Sequence, residues 1–248
     1  MKISILTLFP KMIEGFLRES IIKRAQEKGL VEIEVVDLRS FAKNKYGSVD
    51  DRPYGGGAGM VLRVDVLSEA INKTKTKNSK IVLTSAKGKL FTQQKAAQLS
   101  KGKHLILIAG HYEGVDERIL DFIDEEISLG DFIMTGGEIT AVAVVDSVIR
   151  LIPGVLKKEE ATQLESFFEV PVDQLIEIIG EDKILTKLKQ KGIGKVKLLE
   201  YPHYTRPEEF QGKKVPQILL QGNHQEIEKW RLKMAYEETI KKRPDFLQ

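Results

Sequence analysis

The chain has 248 residues, 42% of them apolar and 30% charged, with a formal net charge of +3 and no cysteine. That is the composition of a soluble globular protein, with room for one large domain or a core domain plus a small one. It excludes disulfides, thiolate zinc sites and cysteine nucleophiles, and its mild basicity permits nucleic-acid binding without arguing for it.

In chain order, Ile3 to Thr7 reads as a short strand, and Pro10 can open a helix. Ile13, Phe16, Leu17, Ile21 and Ala25 follow helical spacing up to Gly29. Val31 to Val36 is mostly alternating, as in a strand, and Val64 to Ile71 looks helical. Ile81 to Thr84 and Leu105 to Ala109 are apolar runs without alternation, which suits strands buried on both faces of a parallel sheet. Residues 116–123 and 138–151 read as helices. The first part is thus expected to be α/β with a parallel sheet.

Composition shifts near residue 157. Residues 172–191 look helical and lysine-rich, and 225–242 form a last amphipathic helix with Ile227, Trp230 and Met234 on one side. The expected organisation is a main domain over 1–157, a linker over 158–170 and a small C-terminal α-helical domain over 171–248. No apolar stretch is long enough to span a bilayer, and the N-terminus lacks the features of a signal peptide, so a cytoplasmic location is expected.

Three glycine loops are candidate sites. Asp50 to Met60 holds four glycines in five residues beside Arg52 and Tyr54, which offer phosphate and base contacts; it lacks the Gly-Lys-Ser/Thr of a P-loop. Ala109 to Arg118 places Gly110 directly after a buried run, with Glu113 able to accept from an amine or a hydroxyl; Asp116 and Glu117 read better as helix caps. Ser128 to Glu138 is an apolar loop with glycines at both ends, suited to enclosing an adenine or to a buried turn. Arg150 follows Asp146 by four residues and alone reads as half of a surface ion pair; Glu165 lies among Glu159, Glu160 and Glu169 and alone reads as part of a solvated acidic face. No histidine spacing suits a fixed metal site, and neither GxSxG nor a catalytic triad order is present.

Taken in order, these segments resemble the bacterial tRNA (guanine-N1)-methyltransferases of the TrmD type, in the SPOUT superfamily. The resemblance runs through Leu8-Phe9-Pro10, Val49 to Gly57, Gly110 to Arg118, Ile127 to Glu138, Ile152 to Leu156, Pro202-His203-Tyr204-Thr205-Arg206-Pro207, Gly222-Asn223-His224, Trp230 to Lys233 and Arg243-Pro244, leaving out only about 168–200. It implies a deep trefoil knot, against the general rule that chains are unknotted. It also implies an obligate homodimer with the active site at the interface. S-adenosylmethionine would be held at Thr84, Ser85, Gly110, Glu113, Leu129, Gly130, Asp131, Phe132, Ile133 and Met134, with Gly136 and Gly137 nearby. Glu165 would be the general base and Arg150 would stabilise charge on guanine O6. The tRNA contacts fall to Arg52, Tyr54, His203, Tyr204 and Arg206, with a weakly held Mg²⁺ as a further cofactor. The implied reaction is methylation of N1 of the guanosine just 3′ of the tRNA anticodon, at position 37, which helps maintain the reading frame.

This sequence departs from the family pattern at three points. Glu165 stands where most members have aspartate, and His111 where arginine is usual. Segment 168–200 is longer than the family's connection and carries Lys183, Lys187, Lys189, Lys191, Lys195 and Lys197, either as an RNA-contacting lid or as a solvated helix. The rival functions are a knotted RNA methyltransferase with another target, a non-catalytic RNA-binding protein, and a phosphate-binding nucleotidase built on Gly55 to Gly59.

Overall fold

A computed structural model of the chain describes residues 1–43, 45–157, 165–180 and 182–248. It divides into two compact units, Met1–Lys157 and Lys158–Gln248.

The first unit is built on five parallel strands in the order β2-β1-β6-β5-β7. These are β1 (Lys2–Thr7), β2 (Glu32–Asp37), β5 (Ser79–Leu90), β6 (His104–Ala109) and β7 (Glu125–Ser128). A minor antiparallel pair, β3 (Asp50–Asp51) and β4 (Val61–Leu62), brackets the first glycine loop. All six residues of β6 are buried. Leu105 and Leu107 join Ile3, Ile5, Val144, Val145 and Val148 on one face, whereas Ile106 and Ile108 join Val66, Leu67, Ala70 and Ile71 on the other. Burial on both faces lets each large aliphatic side chain of this strand contribute about 1.5–3 kcal/mol.

Helices α1 (Pro10–Leu17), α2 (Ser20–Glu27), α4 (Gln93–Leu99) and α5 (Glu138–Ile149) pack on the first face and α3 (Val64–Thr74) on the second. The single helix expected from Pro10 to Gly29 is two helices. The chain turns at Arg18 and Glu19, and Ser20 takes a left-handed φ of 53°, while Leu17, Ile22 and Ala25 still reach the core. The stretch expected as a helix over 116–123 is a 3₁₀ turn, Glu117–Phe122, opened by the Asp116 side chain accepting from Arg118 N.

His104, at the amino end of β6, is buried, with Nε2 2.9 Å from Ser4 Oγ and Nδ1 2.8 Å from Ser79 Oγ. Burial pushes its pKa below the usual 6.5, and Lys2 adds to this while Glu34 and Glu32 oppose it. The unfolded chain therefore binds the proton first. The stability held by the neutral ring is complete above about pH 6.5 and is lost as the pH falls below it toward the lowered folded value. The urea midpoint is expected to drop more steeply between pH 7 and 5.5 in the wild type than in His104→Asn; parallel slopes would remove His104 as the cause.

The second unit, expected to be α-helical, also contains strands. β8 (Phe168–Pro171) and β9 (Lys195–Leu198) form an antiparallel pair that brackets α6 (Val172–Ile179) and α7 (Lys183–Gln190). The lysine-rich helical stretch is thus two helices separated at Gly180, which has a φ of +88°. The expected linker over 158–170 is shorter on its C-terminal side, because β8 begins at Phe168; residues 158–164 lie outside the described residues. A two-stranded hairpin, β10 (Glu209–Phe210) with β11 (Lys213–Lys214), precedes α8 (His224–Lys242). Leu175, Leu185, Leu188, Val196 and Leu198 pack on Ala235 and Tyr236 of α8. The Tyr236 hydroxyl donates to Asp182 Oδ1 at 2.6 Å, while Asp182 also caps α7 at Ile184 N and Leu185 N. Burial would raise the Asp182 pKa, but these donors outweigh it and hold the carboxyl below its usual range.

Candidate active site

Strands β5, β6 and β7 end at one edge of the sheet, and a cavity of about 340 Å³ opens there. The carboxyl edge of a parallel sheet is where such folds generally bind ligands. Three segments line the cavity: Leu83 to Lys87 from within β5, Gly110 to Val115 after β6, and the chain from Glu126 in β7 to Gly137, Asp131 excepted, together with Thr140. Eleven of the twelve residues singled out for a cofactor meet here: Thr84, Ser85, Gly110, Glu113, Leu129, Gly130, Phe132, Ile133, Met134, Gly136 and Gly137. Asp131 does not; it is exposed and outside the lining.

The walls hold together through close backbone packing. Gly137 N donates to Gly110 O at 2.6 Å, and His111 bridges to Gly136. A Cβ on Gly137 would overlap Thr84 Oγ1 and lie 2.9 Å from Gly110 N. Thr84 cannot swing away without cost, since it is buried and its hydroxyl donates to Ile108 O at 3.1 Å. A glycine is therefore required sterically where the third loop meets the second.

Glu138, the first residue of α5, lies just behind this junction and is 1% exposed. Thr7 Oγ1 donates to its Oε1 at 2.8 Å, and His111 Nδ1 stands 3.4 Å from its Oε2. A carboxylate buried at a helix N-terminus needs such partners, and the helix dipole favours its charge. His111 is fixed in turn by ring contacts to Phe9 at 4.6 Å and Tyr112 at 4.8 Å. The position where the resemblance leads one to expect arginine thus holds an imidazole on a buried carboxylate.

The first glycine loop reaches the same wall. Glu113 N donates to Met60 O and Leu62 N to Gly114 O, each at 3.0 Å. A Cβ on Gly59 would run into the Glu113 side chain. Arg52 and Tyr54, on this loop, are exposed.

Arg150 is the half-buried C-cap of α5, and Glu165 is half-buried in the second unit. Both interact with other residues. The backbone around Glu165 is clamped: Phe168 N donates to Glu165 O at 3.2 Å, Phe167 N to Leu198 O at 2.7 Å, and Glu200 N to Ser166 Oγ at 3.1 Å. In the second unit His203, Tyr204 and Arg206 are exposed. His203 Nε2 lies 2.8 Å from Glu200 Oε1, and the His203 ring stacks obliquely on Tyr201 at 4.8 Å.

Ala86, Lys87 and Thr140 also line the cavity and lie outside the three candidate loops. Ala86 and Lys87 follow directly on Thr84 and Ser85 where β5 loses its register with β7, which no sequence pattern marks.

Comparison with known proteins gives the family. The family described as tRNA (Guanine-1)-methyltransferase TrmD matches residues 1–248. A protein of Citrifermentans bemidjiense named tRNA (guanine-N(1)-)-methyltransferase is 48% identical over 250 residues, covering all of this chain and 90% of its own length. Proteins of the same name from Dictyoglomus turgidum and Geobacillus kaustophilus are 47% and 48% identical, again across the whole chain and over 90% and 91% of their own lengths. With its full length matched, the chain belongs to the tRNA (guanine-1)-methyltransferase TrmD family.

Proposed function

We propose that the protein methylates N1 of a tRNA guanine, at the guanosine just 3′ of the anticodon (position 37), with S-adenosylmethionine as methyl donor. The meeting of two glycine loops, Gly110 to Val115 and Leu129 to Gly137, on one cavity, in a chain of this family, carries the reading. At about 340 Å³ the cavity lies within the usual range for a small-molecule site. Its glycine-rich backbone and the apolar Leu129, Phe132, Ile133 and Met134 suit an adenine ring and a polar tail, and Gly110, Gly114, Gly130, Gly136 and Gly137 in the lining leave backbone groups open to a ligand. The residues present therefore fit the donor.

S-adenosylmethionine supplies a methyl group on a positively charged sulfur: the S–CH₃ bond breaks, its electron pair stays on sulfur, and an N1–CH₃ bond forms. The N1 proton must leave, and the Glu165 carboxylate takes it. The negative charge that builds on guanine O6 is met by the Arg150 guanidinium. Glu113 orients the donor, while Arg52, Tyr54, His203, Tyr204 and Arg206 hold the RNA, so that the second unit serves as the tRNA-binding domain. Mg²⁺ enters this reading as a weakly held ion, on the family resemblance alone.

In this reading the crossing at Gly110 and Gly137 is part of a deep trefoil knot, which needs backbones to pass as closely as these do. A second copy covers the apolar groups that the first unit exposes, Met12, Phe16, Phe132, Ile133 (84% exposed) and Ile139, and completes the site. The methylated guanosine beside the anticodon helps maintain the reading frame, a role served in the cytoplasm.

The test is methyl transfer from labelled S-adenosylmethionine to an unmodified tRNA transcript, with the modified base mapped and the enzyme's mass measured by sedimentation. N1-methylguanosine beside the anticodon and a dimer mass are expected. Label on another base or on ribose would favour the rival methyltransferase, and tRNA binding without transfer would favour the non-catalytic one.

A further inference from the structure

Within the bracket Phe168–Leu198, acidic residues precede α7 and a one-signed basic run follows. The fifteen residues from Lys183 to Lys197 include six lysines and no Asp or Glu. Lys183, Lys187 and Lys191 recur every four residues, so they form one stripe on α7 and its C-cap, and all three are exposed. Like charges at that spacing repel. The helix dipole accounts for lysines in the last turn but not for Lys183, which sits in the first turn beside the positive end. Elsewhere in the unit cations are paired locally, as in Lys229–Glu226, Lys242–Glu238 and Arg243–Asp245. Among the described residues the only ion pair of this stretch is Lys189 with Asp173, off the stripe.

The stripe is also held rigid. Leu185 and Leu188 are buried beneath it, and Asp182 fixes the start of α7 to Tyr236. Gly192 N donates to Lys189 O and Ile193 N to Leu188 O, both at 3.0 Å, which closes the helix in a Schellman turn. That turn delivers the chain to Lys195 at the start of β9, and around Gly192 and Gly194 the space is open. A fixed row of like charges with open backbone at its end suits a polyanion with regularly spaced charges.

We propose that α7 and the turn after it form a docking strip for the tRNA backbone, in which Lys183, Lys187, Lys191 and Lys195 engage neighbouring phosphates. The proposal rests on the tRNA reading above. Each phosphate contact releases counterions and adds about one unit to the salt dependence of binding.

Filter binding of an unmodified tRNA transcript to the full-length enzyme at several salt concentrations tests it. Lys183→Gln/Lys187→Gln/Lys191→Gln is compared with Lys73→Gln/Lys75→Gln/Lys77→Gln, which removes the same charge from exposed positions in the first unit. The α7 variant is expected to bind at least ten-fold more weakly near 0.1 M salt, with its log–log slope reduced by about two to three, while the control keeps the wild-type slope. An unchanged melting temperature and an undiminished rise with S-adenosylmethionine would show that fold and cavity are intact. An unchanged slope in the α7 variant, or an equal loss in the control, overturns the docking strip alone. A wild type that does not bind tRNA overturns the tRNA reading with it.

Discussion

Replacing Glu165 by Gln is expected to lower kcat for methyl transfer by about 10²- to 10⁴-fold, the usual worth of a positioned general base, while KM for tRNA and for S-adenosylmethionine stays within a few-fold. The amide keeps the size of the carboxylate and loses only the ability to accept the N1 proton. The effect should be this large because the position is held. Phe167 N donates to Leu198 O and Glu200 N to Ser166 Oγ, so the chain beside Glu165 is pinned to the end of β9 and the residues after it. A base held in this way contributes through orientation as well as basicity. Single-turnover kinetics at saturating substrates is the measurement. Full activity in the Gln variant would move the base elsewhere, with Glu169 the next carboxylate to examine.

Gly137→Ala is expected to abolish the rise in melting temperature on adding S-adenosylmethionine and to destabilise the unliganded protein. The added Cβ meets Thr84 Oγ1, Gly110 N at 2.9 Å and Ala109 Cα at 3.0 Å. Two of these are backbone atoms of the most buried region of the sheet and cannot give way. Overpacking of this kind costs about 1–3 kcal/mol, and here the displaced atoms are the cavity wall itself. Gly15→Ala is the matched comparison: within α1 its Cβ would find nothing within 4 Å, so the change should be neutral or stabilise by about 0.4–1 kcal/mol. Thermal unfolding of both variants with and without the donor separates the cases. A retained ligand shift in Gly137→Ala would mean that the crossing is looser than its 2.6 Å hydrogen bond implies.

The sequence made the strands buried on both faces legible because Leu105 to Ala109 and Ile81 to Thr84 are apolar without interruption, and only a central parallel strand tolerates that. It hid β7, whose Glu125-Glu126-Ile127-Ser128 looks like the start of a surface turn; β7 lies at the sheet edge and needs only Ile127 and Ser128 buried. It hid α4 as well, where Ala96 and Leu99 are the only buried residues in a helix too short to show a period. The break at Arg18 and Glu19 left no trace, since the apolar spacing continues across it. The glycine loops were legible through their order along the chain. Their meeting was not, because it depends on the irregularity of β5 between Thr84 and Lys89, where Gly88 lies so close to Ile127 that a Cβ would come within 2.5 Å of its backbone. The βααβ form of the lysine-rich segment was equally hidden: β8 and β9 are four residues each and find each other across α6 and α7.

The ladder joining Met60 and Leu62 to Glu113, Gly114 and Asp116 has a thermodynamic consequence. One side of it is the loop that carries Arg52 and Tyr54, the other a wall of the cavity, and Gly59 leaves no slack between them. Ordering either side restricts the other, so a ligand that settles one has already met part of the entropy cost of its neighbour's binding. Such coupling is reciprocal by necessity: whatever factor RNA adds to the affinity for the methyl donor, the donor adds to the affinity for RNA.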